Sequence, residues 1–280
     1  MTKRRDFIKT SSIMAAGSMV LPLSSFADSK SAPYGLILYT VRDEMQKDPM
    51  GTLEKVASIG YEVVEAAGYS NRQFYGIKPA KFKEAIESFG MKLLSSHNGV
   101  TEDNVKEIAE DAAEAGLKYV IKPSMTHDSL DDFKRGAEDF NKFGEIFNQS
   151  GIRFGYHNHA FEFEKIDDMI PYDILLQETD PTLVTMELDL YWITKGGHDP
   201  WEYFEKFPGR FEIWHVKDMK ETGKQYETEI GNGIIDFKKI FFMKKLAGMK
   251  NYFVEEDNCR DFPTFESIQI SLDYIKKMKF

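Results

Sequence analysis

The chain has little cysteine and little positive charge. Its 280 residues include one cysteine, Cys259, so an internal disulfide framework is excluded. Acidic side chains outnumber basic ones, and the formal net charge is −10 at pH 7. Nucleic acids and anionic membranes bind mainly through basic side chains, so neither class of partner is expected for this protein.

The chain also lacks a long apolar run near its N-terminus. The apolar stretch at residues 13–23 is too short, and too rich in Ala, Gly and Ser, to span a bilayer. A twin-arginine pattern precedes it at residues 2–9, and a small-x-small cleavage site follows at residues 25–27. We therefore expect residues 1–27 to be a twin-arginine-type signal peptide and the mature protein to be periplasmic, without stable membrane contact. Cleavage would remove four basic side chains and one acid, which changes the formal charge from −10 to −13.

The rest of the chain alternates between short apolar runs typical of strands and segments with helical periodicity. Such alternation forces the strands to be parallel, and eight units in about 250 residues are the size of a (β/α)8 barrel. No glycine-rich dinucleotide-binding loop follows the first strand, which counts against an open doubly wound sheet. We predict an α/β fold, a single (β/α)8 TIM barrel domain over residues 32–280. The predicted strands are Tyr34–Val41, Tyr61–Ala67, Lys92–His97, Tyr119–Pro123, Arg153–His159, Leu183–Leu190, Phe211–Lys217 and Tyr252–Glu256. The predicted helices are Thr52–Ser58, Ala80–Phe89, Asp103–Ala115, Leu130–Asn148, Tyr172–Gln177, Pro200–Phe207, Phe237–Leu246 and Phe265–Lys277.

The last four predicted strands end in acidic or histidine side chains. The segments are Gly155–His159, Met186–Asp189, Ile213–Asp218 and Phe253–Asp257. In a parallel barrel the carboxyl ends of the strands meet at one rim, where active sites form. Histidine and carboxylate side chains are ligands for divalent metals. The sequence therefore predicts a metal centre at this rim.

Strand alternation selects the side chains that face the site. Glu187 and Asp189 share one face of their strand, so we expect Asp189 to bind the metal and Glu187 to lie one layer deeper. His215 is expected as a second ligand. Lys217 shares its face and can neutralise a developing oxyanion or donate a proton. Among the acids of the last strand, Glu255 is expected to point inward.

Three candidates remain open near the fifth strand. His157 and His159 share a face of that strand, and Glu162 lies in the loop that follows. One of the three should complete the metal set, and the others should act on the substrate. His97, at the end of the third strand, is a further candidate for catalysis.

The other candidates carry less weight. The ends of the early strands offer groups that can contact sugar hydroxyls or form a buried polar layer. They are Tyr39, Arg42, Glu65 and Lys122. His127 and His198 lie in predicted loops, where surface positions or contacts at the barrel mouth are expected.

These motifs resemble the xylose isomerase-like TIM barrel family, the group of sugar isomerases, epimerases and dehydratases that also includes endonuclease IV. The resemblance is sharpest at residues 156–163, 187–189, 215–218, 231–237 and 254–257. It implies that each of the last four strands supplies one metal ligand, commonly Glu, Asp, His and Glu. Asp189, His215 and Glu255 match the last three. His157 stands where many members carry the glutamate, so the fourth ligand is either His157 or Glu162.

The resemblance also implies a chemistry. A divalent metal (Mn, Mg or Zn, with Co as a further option) would bind a carbonyl oxygen and an adjacent hydroxyl and stabilise an enediolate. Return of the proton gives a sugar isomerase or epimerase, and loss of a β-oxygen from the same intermediate gives a 3-keto-glycoside lyase or hydratase. We expect the first, on an unphosphorylated sugar or keto-sugar, and keep the second as the alternative. A non-catalytic sugar-binding barrel would have no need of the ligands, and an endonuclease would need a basic DNA-facing surface. The sequence leaves a homo-oligomer open.

Overall fold

The computed structural model describes residues 32–126, 128–220 and 225–278. Eight parallel strands close into a barrel, in which each strand pairs with its neighbours in the chain and the last strand pairs with the first. The strands are β1 (Gly35–Ile37), β2 (Val63–Ala66), β3 (Lys92–His97), β4 (Tyr119–Lys122), β5 (Arg153–His157), β6 (Val184–Asp189), β7 (Ile213–Val216) and β8 (Asn251–Val254). The predicted α/β barrel is therefore confirmed.

Helices cover the outside of the barrel. In the described part of the chain they are α1 (Arg42–Lys47), α2 (Pro49–Ile59), α3 (Pro79–Ser88), α4 (Val105–Glu114), α5 (Leu130–Gln149), α6 (Pro171–Glu178), α7 (Leu190–Lys195), α8 (Pro200–Lys206), α9 (Phe237–Phe242), α10 (Lys244–Ala247) and α11 (Thr264–Lys277). A 3-10 helix at Phe161–Phe163 follows β5. One small hairpin, Tyr69–Ser70 with Gln73–Phe74, follows β2, and a second, Asp218–Met219 with Glu227–Thr228, follows β7. Within the described ranges, no helix combines the length and the apolar character that crossing a bilayer requires.

The prediction of eight helices was wrong, and the first strand was predicted too long. β1 ends at Ile37, because the chain turns there and the N–H of Thr40 donates to the Ile37 carbonyl at 3.2 Å. The apolar run continues past β1 because Leu38 and Val41 of the turn are buried, while Tyr39 between them is exposed. The predicted helix over residues 237–246 is two helices, α9 and α10, separated at Met243. α7 was missed because it starts directly after the last residue of β6, without a turn signal between them.

Side-chain alternation divides the barrel into an outer apolar layer and an inner face. Met186 and Leu188 of β6 pack in the layer between the strands and the helices, and Trp214 of β7 stacks there on Phe204 with ring centroids 5.0 Å apart. The inner face is apolar in its lower part and polar at the carboxyl ends of the strands. The apolar residues inside the barrel are Ile37, Val63, Tyr119, Ile121, Ile213 and Phe253.

A β-bulge interrupts the pairing of β2 with β3. Val64 pairs with Leu93, but the next residue of β2, Glu65, pairs with Ser95, so Leu94 is an extra residue. The extra residue shifts the alternation of β3 by one position. Ser95 consequently faces the barrel interior, where its hydroxyl donates to Glu65 Oε1 at 2.6 Å.

Asp218 organises the loop that follows β7. Its carboxylate is buried and accepts four backbone N–H groups, from Met219 at 2.8 Å, Gly231 at 2.9 Å, Gly233 at 3.0 Å and Ile235 at 3.1 Å. A Cβ atom on Gly233 would lie 2.3 Å from Asp218 Oδ1, so the close approach requires glycine. Gly233 is therefore needed for the contact of this loop with Asp218.

Substitution of Asp218 should destabilise the whole domain. Asp218→Ala leaves several buried N–H groups without an acceptor, and we expect it to lower the free energy of unfolding by about 2–4 kcal/mol. Asp236→Ala is the control, since Asp236 caps α9 at an exposed position and should contribute only about 1 kcal/mol. Urea unfolding followed by circular dichroism measures both. Equal losses in the two variants would contradict the role given to Asp218.

Candidate active site

Four of the predicted residues meet at the rim formed by the last four strands. They are His157, Asp189, His215 and Glu255, all buried, and one donor atom of each lies within 4.8 Å of the others. His215 Nδ1 is 2.9 Å from Glu255 Oε2 and 3.9 Å from Asp189 Oδ2. His157 Nε2 is 3.5 Å from Asp189 Oδ2. Three of these side chains lie on β5, β6 and β7, and Glu255 directly follows β8, so the barrel itself fixes their spacing.

The two oxygens of Asp189 have separate roles. Oδ1 caps α7, accepting the backbone N–H groups of Tyr191 and Trp192, both at 2.8 Å. Oδ2 is buried and makes no hydrogen bond with any described group, although His157 and Lys217 lie near it. The cap therefore fixes the carboxylate with one oxygen directed at the other candidate ligands.

A second polar layer lies beneath these residues. His215 Nε2 is 2.7 Å from Glu65 Oε2 and 3.3 Å from Glu187 Oε2. His97 Nε2 is 2.5 Å from Glu187 Oε2 and 3.4 Å from Glu65 Oε2. A histidine that binds a metal usually donates its other ring N–H to a carboxylate, which fixes the ring and its tautomer. Glu65 and Glu187 are placed to accept from Nε2 of His215, which leaves Nδ1 for a metal.

The upper group fits a divalent metal. Both nitrogens of His157 and Oδ2 of Asp189 are buried without a hydrogen-bond partner among the described residues. Buried polar atoms of this kind need a partner, and a metal would provide one for His157 Nε2 and Asp189 Oδ2. Two imidazoles and two carboxylates form a donor set suited to Zn²⁺ or Mn²⁺, and also to Co²⁺. Mg²⁺ prefers an all-oxygen shell, so the two nitrogens make it the weaker match.

Glu162, the alternative fourth ligand, lies outside this group. The 3-10 helix after β5 directs its carboxylate at Tyr156, whose hydroxyl donates to Oε1 at 2.7 Å, and at the backbone N–H of His159, which donates to Oε2 at 2.9 Å. The geometry thus brings His157, and not Glu162, to the other candidate ligands. The assignment of His157 as a ligand stays a prediction.

A cavity of about 400 Å³ opens above the ligand group. Histidines, aromatic rings and acidic groups form most of its wall. The lining residues are Tyr39, Ala67, Tyr69, His97, Gly99, Pro123, Ser124, His157, His159, Trp192, Glu255 and Asp257. A small molecule in this cavity would touch two of the candidate ligands directly.

Comparison with known proteins identifies the fold family. A family model described as "Xylose isomerase-like TIM barrel" matches residues 53–278. The chain belongs to this family. The resemblance noted from the sequence is therefore confirmed, and so is the prediction that the chain is an enzyme.

Known proteins are similar to this chain at modest sequence identity. An inosose dehydratase of Geobacillus kaustophilus is 24% identical over 249 residues, which cover 79% of this chain and 76% of that protein. Other inosose dehydratases, including that of Clostridium tetani, match over only about half of their own length. A solved sugar phosphate isomerase/epimerase from Parabacteroides distasonis is 31% identical, with a TM-score of 0.77, over 88% of this chain and 98% of that one. The IOLI protein, solved with a zinc atom, shares the fold at 16% identity and a TM-score of 0.66, over 87% of this chain and 96% of that one.

The charges around this xylose isomerase-like site prepare it for a cation. Burial raises the pKa of Asp189, but the charge of Lys217 outweighs burial and holds that pKa below its usual value. Burial also raises the pKa of Glu255, but the charge of Lys217 outweighs burial and holds that pKa well below its usual value. Burial lowers the pKa of His157, so its imidazole is neutral, the form that binds metals. Burial disfavours the protonated form of His215 and lowers its pKa, but the charges of Glu187 and Glu255 outweigh burial and raise that pKa. A metal must therefore displace a proton from His215.

Lys217 balances the acidic side of the site. Its ammonium is fully buried, with Nζ 2.7 Å from Glu255 Oε2, 2.7 Å from Asp257 Oδ2 and 3.3 Å from Asp189 Oδ2. It does not line the cavity. Its position supports charge neutralisation behind the ligands more than direct proton transfer to a substrate.

The remaining sequence candidates divide by position. Tyr39 and His97 line the cavity, and Glu65 lies in the layer below. Arg42 packs over the Tyr39 ring, and Lys122 Nζ donates to the carbonyl of Val100 at 2.7 Å, so neither forms part of the cavity wall. His198 packs against Phe163 and Tyr203. His127 lies outside the described residues.

Three residues of the site were missed. Tyr69 and Trp192 line the cavity, and Asp257 both lines it and pairs with Lys217. Trp192 lies three residues after Asp189, and Tyr69 follows β2 by three residues. An aromatic residue close behind a strand end in a predicted barrel was the signal that could have found both.

Loss of one carboxylate oxygen should remove the metal without unfolding the barrel. In Asp189→Asn the amide oxygen can still cap α7, but an NH₂ group replaces the oxygen that faces His157. We expect metal affinity to fall at least about 100-fold with an unchanged circular dichroism spectrum. The matched control is Asp199→Asn, because Asp199 caps α8 in the same way: its Oδ1 accepts the backbone N–H of Trp201 at 2.9 Å. Metal content by mass spectrometry decides, and an unchanged metal titre in Asp189→Asn would refute the site.

Glu162 should make stability depend on pH. Burial raises the pKa of its carboxyl to about 7, above the ordinary value of about 4.3. The folded protein therefore holds this proton more tightly than the unfolded chain does. The resulting stabilisation is complete below about pH 4 and is lost as the pH rises through 7.

The test compares wild type with Glu162→Gln. Between pH 5 and pH 8 the free energy of unfolding of wild type should fall relative to that variant, by up to about 3 kcal/mol. Glu164→Gln, at the exposed neighbour, should keep the pH dependence of wild type. Parallel curves for wild type and Glu162→Gln would show that the prediction is wrong.

Proposed function

We propose that this protein is a divalent-metal-dependent lyase that removes water or an alcohol from a keto-sugar. The observation that carries the proposal is the group of His157, Asp189, His215 and Glu255 beneath a polar cavity. The inosose dehydratases among the relatives support elimination over rearrangement, because an inosose is a cyclic polyol with one ketone. A 3-keto-glycoside offers the same ketone, with a glycosidic oxygen as the leaving group. Such a substrate is consistent with the export that we propose for this chain.

The cavity favours an unphosphorylated substrate. Its described lining contains no lysine or arginine but includes the carboxylates of Glu255 and Asp257. A phosphate group in this cavity would face the carboxylates of the wall without a lysine or arginine to bind it. The aromatic rings of Tyr39, Tyr69 and Trp192 instead offer faces that suit the apolar side of a sugar ring. The substrate that fits this wall is a neutral polyol with a carbonyl group.

The chain's own residues can carry out the proton transfers. A divalent metal bound here would act as a Lewis acid on the substrate carbonyl. His159 and His97 both line the cavity, with ring centroids 4.9 Å and 5.1 Å from that of His157. Nδ1 of His159 is buried, so Nε2 is the atom placed to accept the proton next to the carbonyl. Nε2 of His97 is bonded to Glu187, so its Nδ1 is placed to give a proton to the departing oxygen.

In this reaction the C–H bond next to the ketone and the C–O bond beyond it both break. The electron pair of the C–H bond forms the new carbon–carbon double bond, and the leaving oxygen takes one proton. The products are an unsaturated ketone and one molecule of water or alcohol. No oxidant or reductant is required.

Isomerisation or epimerisation is the second candidate function. The solved sugar phosphate isomerase/epimerase, 31% identical to this chain, is the observation that favours it. The same base would remove the same proton, and the proton would return to carbon. The two candidates differ in whether the C–O bond breaks.

Product analysis in heavy water tests the proposal. The Mn-loaded protein is incubated with an inosose and, separately, with a 3-keto-glycoside. We expect a product lighter by one water, or a released alcohol, together with the ultraviolet absorption of a conjugated ketone. A product that has lost neither water nor alcohol and is heavier than the substrate only by the deuterium it carries at carbon would establish isomerisation instead.

Substitution of His159 tests its proposed role as the base that removes the proton next to the carbonyl. His159→Gln should lower kcat by roughly 10²- to 10⁴-fold while the metal content stays unchanged, because the side chain moves protons and is not expected to bind the metal. The control is His198→Gln, a histidine outside the cavity wall, which should retain activity. If neither ketone loses water or alcohol nor exchanges a proton, the proposed function is wrong.

A further inference from the structure

We propose that Arg72 is a positioning residue, which holds Tyr69 in the wall of the cavity through the carboxylate of Asp111. The inference rests on the proposed function, since it gives Tyr69 a contact with the sugar. Tyr69 begins the small hairpin that follows β2, and Arg72 lies in the turn of that hairpin. Asp111 belongs to α4, a different part of the chain.

The turn of the hairpin is strained. Asn71 and Arg72 both have positive φ angles, 49° and 59°. Two-residue turns of this kind commonly place asparagine first and glycine second, because glycine adopts a positive φ without steric cost. An arginine at the second position is unfavourable unless its surroundings fix it there.

Asp111 supplies the fixing contacts. Its carboxylate is buried and receives Nη2 of Arg72 at 2.6 Å on Oδ1 and Nε at 3.1 Å on Oδ2. The hydroxyl of Tyr69 donates to Oδ2 at 2.6 Å. Two-point contact of arginine with a carboxylate restricts both distance and orientation. One carboxylate thus joins the turn of the hairpin to the tyrosine that begins it.

The contacts of Arg72 and Tyr69 with the Asp111 carboxylate form what we call the latch, and Tyr69 connects this latch to the site. Its ring lines the cavity together with Trp192 and packs against the buried ring of Phe74, with centroids 5.1 Å apart. With the hydroxyl held by Asp111 and the ring backed by Phe74, Tyr69 presents a fixed surface to the cavity. The hairpin contributes no candidate metal ligand and no proton-transfer group. Loss of the latch should therefore weaken substrate binding and leave the chemical step intact.

The first measurement separates KM from kcat. Arg72→Ala should raise KM for the keto-sugar about tenfold, with kcat within about twofold of wild type and with unchanged metal content. Arg72→Lys keeps the charge but not the two-point contact, so it should give an intermediate KM. Arg72→Gly relieves the strain of the turn and still removes the latch, so its KM should rise as in Arg72→Ala. A rise in Arg72→Ala that is absent in Arg72→Gly would assign the effect to turn strain and overturn the proposal.

A double-mutant cycle tests whether Arg72 acts through Tyr69. Tyr69→Ala alone should raise KM by at least as much as Arg72→Ala, and the double variant should show no further rise. Effects that multiply would mean that the two residues act independently, against the proposal. Arg135→Ala is the matched control, because it breaks another arginine–aspartate pair, with Asp132, at an exposed position away from the cavity.

Hydrogen–deuterium exchange tests the latch without turnover. Amides of residues 68–75 should exchange faster in Arg72→Ala than in wild type, and at the wild-type rate in Arg135→Ala. Unchanged exchange in Arg72→Ala would refute the latch. Inactivity of wild type on every ketone would refute the proposed function alone, since the exchange measurement does not depend on activity.

Discussion

His215 is held on both ring nitrogens by carboxylates from different parts of the barrel. Its Nε2 meets Glu65 of β2 at 2.7 Å, and its Nδ1 meets Glu255, after β8, at 2.9 Å. β7 is paired with β6 and β8, so the contact with β2 crosses the barrel interior. An ionic group without water needs partners on every polar atom, and here the closed barrel supplies them. The arrangement of the rim depends on this bridge.

The other charged side chains of the rim surround this bridge. Glu187 joins Glu65 beneath the histidine, and Asp189 joins Glu255 above it. Four carboxylates around one imidazole would repel each other strongly in a medium of low dielectric constant. The buried ammonium of Lys217 offsets part of this repulsion from the carboxyl end. A site with this excess of negative charge is suited to a divalent cation.

The local pattern of the strands was readable from sequence, but contacts across the barrel were not. Alternation along β6 predicted that Glu187 and Asp189 share one face, and both lie on the inner face. Glu255 was expected to point inward as the first acid after the last strand, and it does. The pairing of Lys217 with Asp257 and of His215 with Glu65 depends on side-chain lengths and on the barrel's curvature, which no single strand encodes. The placement of Glu162 also escaped prediction, because a 3-10 helix after β5 decides where its carboxylate points. Helix α7 was hidden for a related reason, since the carboxylate that caps it belongs to the strand before it.

The extra residue in β3 bears on how sites of this kind can diverge. Leu94 shifts the alternation of its strand, so that Ser95 and the following inward position, His97, face the interior. Regular pairing through Leu94, without the bulge, would turn the imidazole outward toward the helices, with no change in any side chain of the site. In this barrel, the pairing of a single strand therefore decides which of its side chains reach the site. Chemistry at the mouth can change through a shift in strand pairing as well as through replacement.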